Sequence, residues 1–137
     1  LTFPVTSFIN TDARTVLDGY ARWAVVGWSP DPSRDSNRIA ALLESLGKDV
    51  VRVNPRAADA GAVPDLATAA AAGPIDVVDL FRRSDQVSAH VDEAIAIGAR
   101  AVWMQLGVID PDAARRARAA GLDVVMDDCP AIVLRRG

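Results

Sequence analysis

The chain has 137 residues, half of them apolar and about a quarter charged, with a formal net charge of −3 at pH 7. That length suits one domain with a proper core, and the charge argues against any overall attraction to nucleic acid or an anionic membrane. A single cysteine, Cys129, excludes an internal disulfide, and no apolar run reaches the roughly 18 residues of a membrane span. The first ten residues lack the charged start and apolar centre of a signal peptide, so a cytoplasmic protein is expected. Fourteen arginines against one lysine, Lys48, fit a GC-rich genome, as does the abundant alanine.

Residues 1–12 show no periodicity. "DARTVLDGYAR" (12–22) reads as a helix with Thr11 or Asp12 as cap and Val16, Leu17 and Tyr20 on its apolar face. Residues 1–22 are then a lead-in and helix at the front of a single domain spanning 1–137. From Trp23 the pattern is regular. Apolar, valine-rich runs occur at 23–27, 49–53, 76–81, 100–105 and 123–126, short and continuous as in strands buried on both faces of a parallel sheet.

Amphipathic segments separate them. "SNRIAALLESLG" puts Ile39, Leu42, Leu43 and Leu46 on one stripe and stops at Gly47. "DLATAAAA" (65–72) is a shorter helix. "SDQVSAHVDEAIAIG" starts at a Ser84 cap and ends at Gly98, and "DPDAARRARAAG" runs from an Asp110 cap and Pro111 to Gly121. Strand and helix alternate throughout, which predicts an α/β fold: a Rossmann-like, doubly wound parallel sheet of about five strands in three α/β/α layers. In such sheets ligands bind beyond the carboxyl ends of the strands, where strand order reverses.

The strand ends therefore supply the site candidates. The first strand leads to Gly27, Trp28, Ser29 and a loop to Ser36, with Arg34 and Arg38 adding charge; the second leads to Asn54, Pro55 and Arg56. Phe81, Arg82 and Arg83 follow the third, Gln105, Leu106 and Gly107 the fourth, and Asp127, Asp128 and Cys129 the fifth. A helix N-terminus with serines and arginines suits a phosphate, although the loop is neither Gly-x-Gly-x-x-Gly nor a Walker loop; a tight turn with Ser33 or Ser36 as helix cap explains it equally well. "RVNPRA" (52–57) lacks the carboxylate that would hold NAD ribose hydroxyls, and its arginines suit an additional phosphate, as on NADP or coenzyme A. Asp79 is expected to orient Arg82 or a loop amide, His90 to be solvated on its helix, and Cys129 to be a small buried hydrophobe. No catalytic set and no metal site emerges.

The stretches "AVVGWSPDPSRDSNRIA", "VVRVNPRA", "IDVVDLFRRSDQV", "EAIAIGARAVWMQLGV" and "AARRARAAGLDVVMDDC" together resemble the stand-alone CoA-binding domain family, which is similar to the nucleotide-binding domain of the succinyl-CoA synthetase alpha subunit. The resemblance covers roughly residues 20–130 and implies coenzyme A, or a small acyl-CoA, at the carboxyl ends of the strands. By matched position, Gly27, Trp28, Ser29 and Ser36 would contact the pyrophosphate, with Arg34 adding charge. Asn54, Pro55 and Arg56 would lie along the adenosine, and Phe81, Arg82, Gln105 and Gly107 would border the rest, with Cys129 at the same edge. Two departures stand out: Asp127-Asp128-Cys129 where the family often has Asp-Arg-Cys, and "AVPDLATAAAAG" where it has a Tyr-Pro-Ser-Leu approach.

Resemblance does not transfer the synthetase reaction, since the one histidine is in no comparable setting. The expected protein binds CoA without catalysis by the isolated chain and engages a small-molecule nucleotide cofactor, not nucleic acid or membrane. A homodimer or a partner enzyme subunit is compatible with this. Two alternatives remain: an NADP-binding oxidoreductase domain or subunit, and an interaction subunit with a vestigial cleft, which exposed Trp28 and Trp103 would favour.

Overall fold

The computed structural model describes residues 10–136. Its centre is a five-stranded, all-parallel sheet in the order β2-β1-β3-β4-β5, built from β1 (Arg22–Val26), β2 (Asp49–Val53), β3 (Val77–Leu80), β4 (Ala101–Met104) and β5 (Asp123–Val125). All four residues of β3 and of β4 are buried, which explains why these runs are continuously apolar rather than alternating. The fold is the expected Rossmann-like α/β sandwich.

Alternation along the strands sends successive side chains to opposite layers. On one face Ala24, Val26, Val78, Leu80, Val102 and Met104 pack under α3 (Leu66–Ala71), α4 (Val87–Ala96) and α5 (Pro111–Ala119). On the other, Trp23, Val25, Val77, Trp103 and Val125 pack under α1 (Ala13–Gly19), α2 (Asp35–Ser45) and α6 (Pro130–Arg135). Trp23 and Trp103 meet there with ring centroids 5.6 Å apart. Both are fully buried, so the core position of Trp103 stands and its role as an exposed anchor falls.

Helix ends explain themselves locally, with three corrections. Asp12, Asp65 and Asp110 cap α1, α3 and α5 by accepting from the N–H of Thr15, Thr68 and Ala113. Ser84 is not a cap. It lies in a 3₁₀ turn, and its hydroxyl accepts from the Ile109 N–H at 2.9 Å, tying the β3 exit to the β4 exit. The helix expected over 12–22 stops at Gly19, because β1 already begins at Arg22. The sequence pattern also passed over α6, whose first position is Pro130.

The strand order reverses between β1 and β3, which both hydrogen-bond into the same sheet while their connections leave in opposite directions. This is the switch point, and Gly27 sits on it with φ +84°. Its N–H donates to Val53 O, and the Phe81 N–H donates to Val26 O, both at 2.9 Å. A Cβ on Gly27 would overlap the Phe81 carbonyl oxygen and lie 3.0 Å from Arg82 Cδ. The glycine is thus demanded by the protein's own strand crossing.

Candidate functional site

At the carboxyl edge the loops after β1 and β3 and the helices α2 and α6 enclose a cleft of about 910 Å³, within the range of small-ligand sites. Gly27, Ser29, Arg34 and Ser36 line it from the first loop, Phe81 and Arg82 from the third, Gln105 from the fourth and Cys129 from the fifth. A contiguous hollow of about 440 Å³ continues past Gly27, Ser29 and Arg82 to Asn54, Pro55 and Arg56. Of the thirteen candidates, eleven border these two spaces. Trp28 and Gly107 do not.

The first loop is organised by its own side chains. Ser36 Oγ accepts from the Ser29 N–H at 3.0 Å, and Asn37 Nδ2 donates to Ser29 O at 3.0 Å. Asp31 accepts from the N–H and hydroxyl of Ser33 at 2.9 and 2.8 Å, which holds its carboxyl below the usual carboxylate range. Neither Ser33 nor Ser36 caps α2. Arg34 stands at that position and supplies no acceptor, so no side-chain cap serves the first-turn N–H groups.

The second loop is held by Asn54. Its Nδ2 donates to Trp28 O at 2.8 Å and its Oδ1 accepts from the Arg56 N–H at 2.9 Å, so the side chain positions both loops. Trp28 is buried in the core beneath, with the Arg52 guanidinium 5.3 Å from its ring centroid. Arg52 is also paired with Glu44 at 2.6 Å, which removes it from the cations available to a phosphate.

Three arginines remain on the hollow. Arg34, Arg56 and Arg82 form no ion pair and no side-chain hydrogen bond among the described residues, and Asp31 is the one acid on its lining. The Arg82 Nε is shut off from solvent and has no partner. A buried donor in that state carries an unmet cost, and the Arg82 side chain lines both spaces.

A family model described as CoA binding domain matches residues 21–135. The chain belongs to that family. Among relatives of this CoA-binding domain, the uncharacterized protein YneT of Bacillus subtilis (strain 168) is 31% identical over 121 residues, covering 88% of this chain and 90% of YneT. A hypothetical protein of Pyrococcus horikoshii OT3 superposes with a TM-score of 0.83 at 32% identity, over 99% of this chain and 96% of that one. Prb, the PH1109 protein redesigned for binding, gives 0.82 at 36% identity, over 90% and 87%.

In this CoA-binding domain the lining residue Gln105 rests on a buried carboxyl. Asp79 is completely buried on β3, flanked in register by Val25 and Trp103, and burial pushes its carboxyl up to about 8. Its Oδ1 accepts from Gln105 Nε2 at 2.5 Å, and its Oδ2 has no partner. Asp79 thus orients Gln105, not Arg82 or a loop amide. Gly107 does not line the cleft; its N–H donates to Asp127 Oδ1 at 2.7 Å, with Asp127 held at φ +61°. Asp128 also points elsewhere: it receives a bidentate pair from Arg136 at 2.9 and 3.1 Å. The carboxylate that departs from the family pattern therefore belongs to the α6 attachment. His90 is half-buried rather than solvated, bonded to Glu93 at 2.9 Å beside a narrow slot of about 100 Å³ that Arg82 also lines. Among the described residues no helix is long and apolar enough to cross a membrane.

Proposed function

We propose that the domain binds coenzyme A, or a small acyl-CoA, across the cleft and hollow at the carboxyl edge of its sheet, and that the isolated chain does not catalyse its conversion. Membership of the CoA-binding domain family supports the ligand class. The observation that carries the placement is the set of three unpaired arginines, Arg34, Arg56 and Arg82, around the uncapped start of α2. Ser29, Arg34 and the first turn of α2 would hold the pyrophosphate, and Arg56 the ribose phosphate. Phe81, Gln105 and Cys129 would border the pantetheine arm, whose terminal thiol is what the cofactor supplies when bound.

Calorimetric titration of the reduced protein with CoA, dephospho-CoA, NADP and NAD tests this reading. CoA is expected to bind, and dephospho-CoA to bind about tenfold or more weakly through loss of a charged hydrogen bond. Binding of NADP alone would move the protein to the oxidoreductases, and binding of none would leave the cleft vestigial.

A further inference from the structure

Asp79 is the one fully buried carboxyl among the described residues, and nothing in the binding reading uses it. It lies on the sheet face covered by α1, α2 and α6, and its single side-chain partner, Gln105, is a lining residue of the cleft. From this geometry we propose that Asp79 is a positioning residue whose protonation state sets which end of the Gln105 amide faces the ligand. The proposal rests on the CoA reading of that cleft for the identity of the ligand.

The chemistry follows from the inventory of donors. An ionised carboxylate only accepts, so it fixes Gln105 with Nε2 inward and the amide oxygen toward the cleft. A neutral carboxyl accepts more weakly, and its O–H can instead donate to Gln105 Oε1, with the amide nitrogen then toward the cleft. The neutral acid leaves both presentations open; the charged one closes one of them. The donor presentation suits a ligand carbonyl, such as the amides of a pantetheine arm or an acyl thioester. Burial favours the proton, and the Gln105 bond opposes it; no charged neighbour contributes.

The titratable groups on the covering elements are otherwise engaged or placed. Arg14 and Asp18 of α1, Arg38 and Asp35 of α2, and Glu44 with Arg52 pair at the surface. Asp128 and Arg136 pair beside α6, while Arg135, the Cys129 thiol and, after β3, Arg82 border the cleft. None of them hydrogen-bonds to Asp79, whose Oδ2 stays without a partner.

Two measurements test the inference. In the first, the Kd for CoA is followed from pH 6.5 to 9.5 in the intact protein and in Asp79→Asn, so that the ligand's own titrations cancel in the ratio. The ratio of wild-type to variant Kd is expected to rise at least about fivefold across that range, the weight of one net hydrogen bond. A ratio constant within twofold, with binding intact, overturns the proposal. In the second, the Gln105 side-chain amide, assigned by its loss in Gln105→Glu, is followed by ¹⁵N NMR without ligand. Its signals are expected to move with a midpoint near pH 8 in the wild type and to stay still in Asp79→Asn; signals that ignore pH from 6 to 10 overturn it. Absence of CoA binding at pH 6.5 would defeat the cofactor reading and leave the NMR result to decide this one.

Discussion

The two edges of the sheet treat charge in opposite ways. At the amino edge, polar and charged groups find partners within the protein. Arg22 pairs with Asp49 at 3.0 Å and donates to Gly73 O, while Asp76 accepts from the N–H groups of Ala21 and Arg22. Lys48 donates to Tyr20 O at 2.7 Å, and the Tyr20 hydroxyl donates to Asp123 Oδ2 at 2.7 Å, which raises the phenol above its usual range. At the carboxyl edge Arg34, Arg56 and Arg82 have no such partner, α2 has no cap, and a buried carboxyl keeps one oxygen unsatisfied. The same residue types are paired at one edge and left unpaired at the other. Unsatisfied groups in a native fold are costly, so their clustering at one edge points to binding.

The contrast can be broken most severely at the switch point. Gly27→Val is expected to cost about 3–5 kcal/mol, because it adds a left-handed strain to an overlap with the Phe81 backbone. Chemical denaturation would show it, and an unaltered midpoint would mean that the crossing can relax. This variant is therefore a poor probe of binding alone. The pH profile sharpens the contrast next. Asp79 keeps its proton in the folded state up to about pH 8 and loses it near 3.8 when unfolded, so the native state holds the extra proton between those values. Stability should fall with rising pH across that window by about 1.4 kcal/mol per pH unit, and Asp79→Asn should remove this component of the slope. Arg82→Ala follows, with CoA affinity reduced about 30-fold by calorimetry and the melting temperature unchanged or raised, as the Nε loses an unmet need. Asp76→Ala should do the reverse, costing about 1 kcal/mol of stability through two lost hydrogen bonds to partly exposed N–H groups, with no change in CoA affinity. Asp128→Asn should have the smallest effect, below about 1 kcal/mol, since Arg136 is largely exposed.

The strands were legible because each is a valine-rich run buried on both sides, and the helices because glycines and aspartates mark their ends. Helix α6 was not: six residues give under two turns, too few for a stripe, and only Pro130 signals its start. Ser84 stood where a cap would stand, but the N–H it serves belongs to Ile109, 25 residues away. The edge of the sheet to which the proposed site is assigned followed from the sequence, since strand ends collect arginine and glycine. Which arginines are free did not. Arg52 and Arg56 look alike in "RVNPRA", and only partners distant in sequence, Glu44 and Trp28, separate them. Trp28 followed a strand end yet turned into the core, because the direction of a side chain after a glycine depends on that glycine's φ. The Asp79–Gln105 bond joins neighbouring strands, so it follows from strand order and register, which no local pattern encodes.

The outermost strands raise a different matter, that of growth. On β5, Thr11 N–H donates to Val124 O, and the Asn10 amide pairs with both the N–H and the carbonyl of Met126, so a side chain imitates one more peptide unit. On β2, Val63 takes the positions at Arg52 O and Asn54 N–H. A foreign strand would have to evict these residues before it could extend the sheet. Strand addition is thereby hindered along β5 and at the carboxyl end of β2, the borders where a valine-rich sheet is most open to fibrous aggregation.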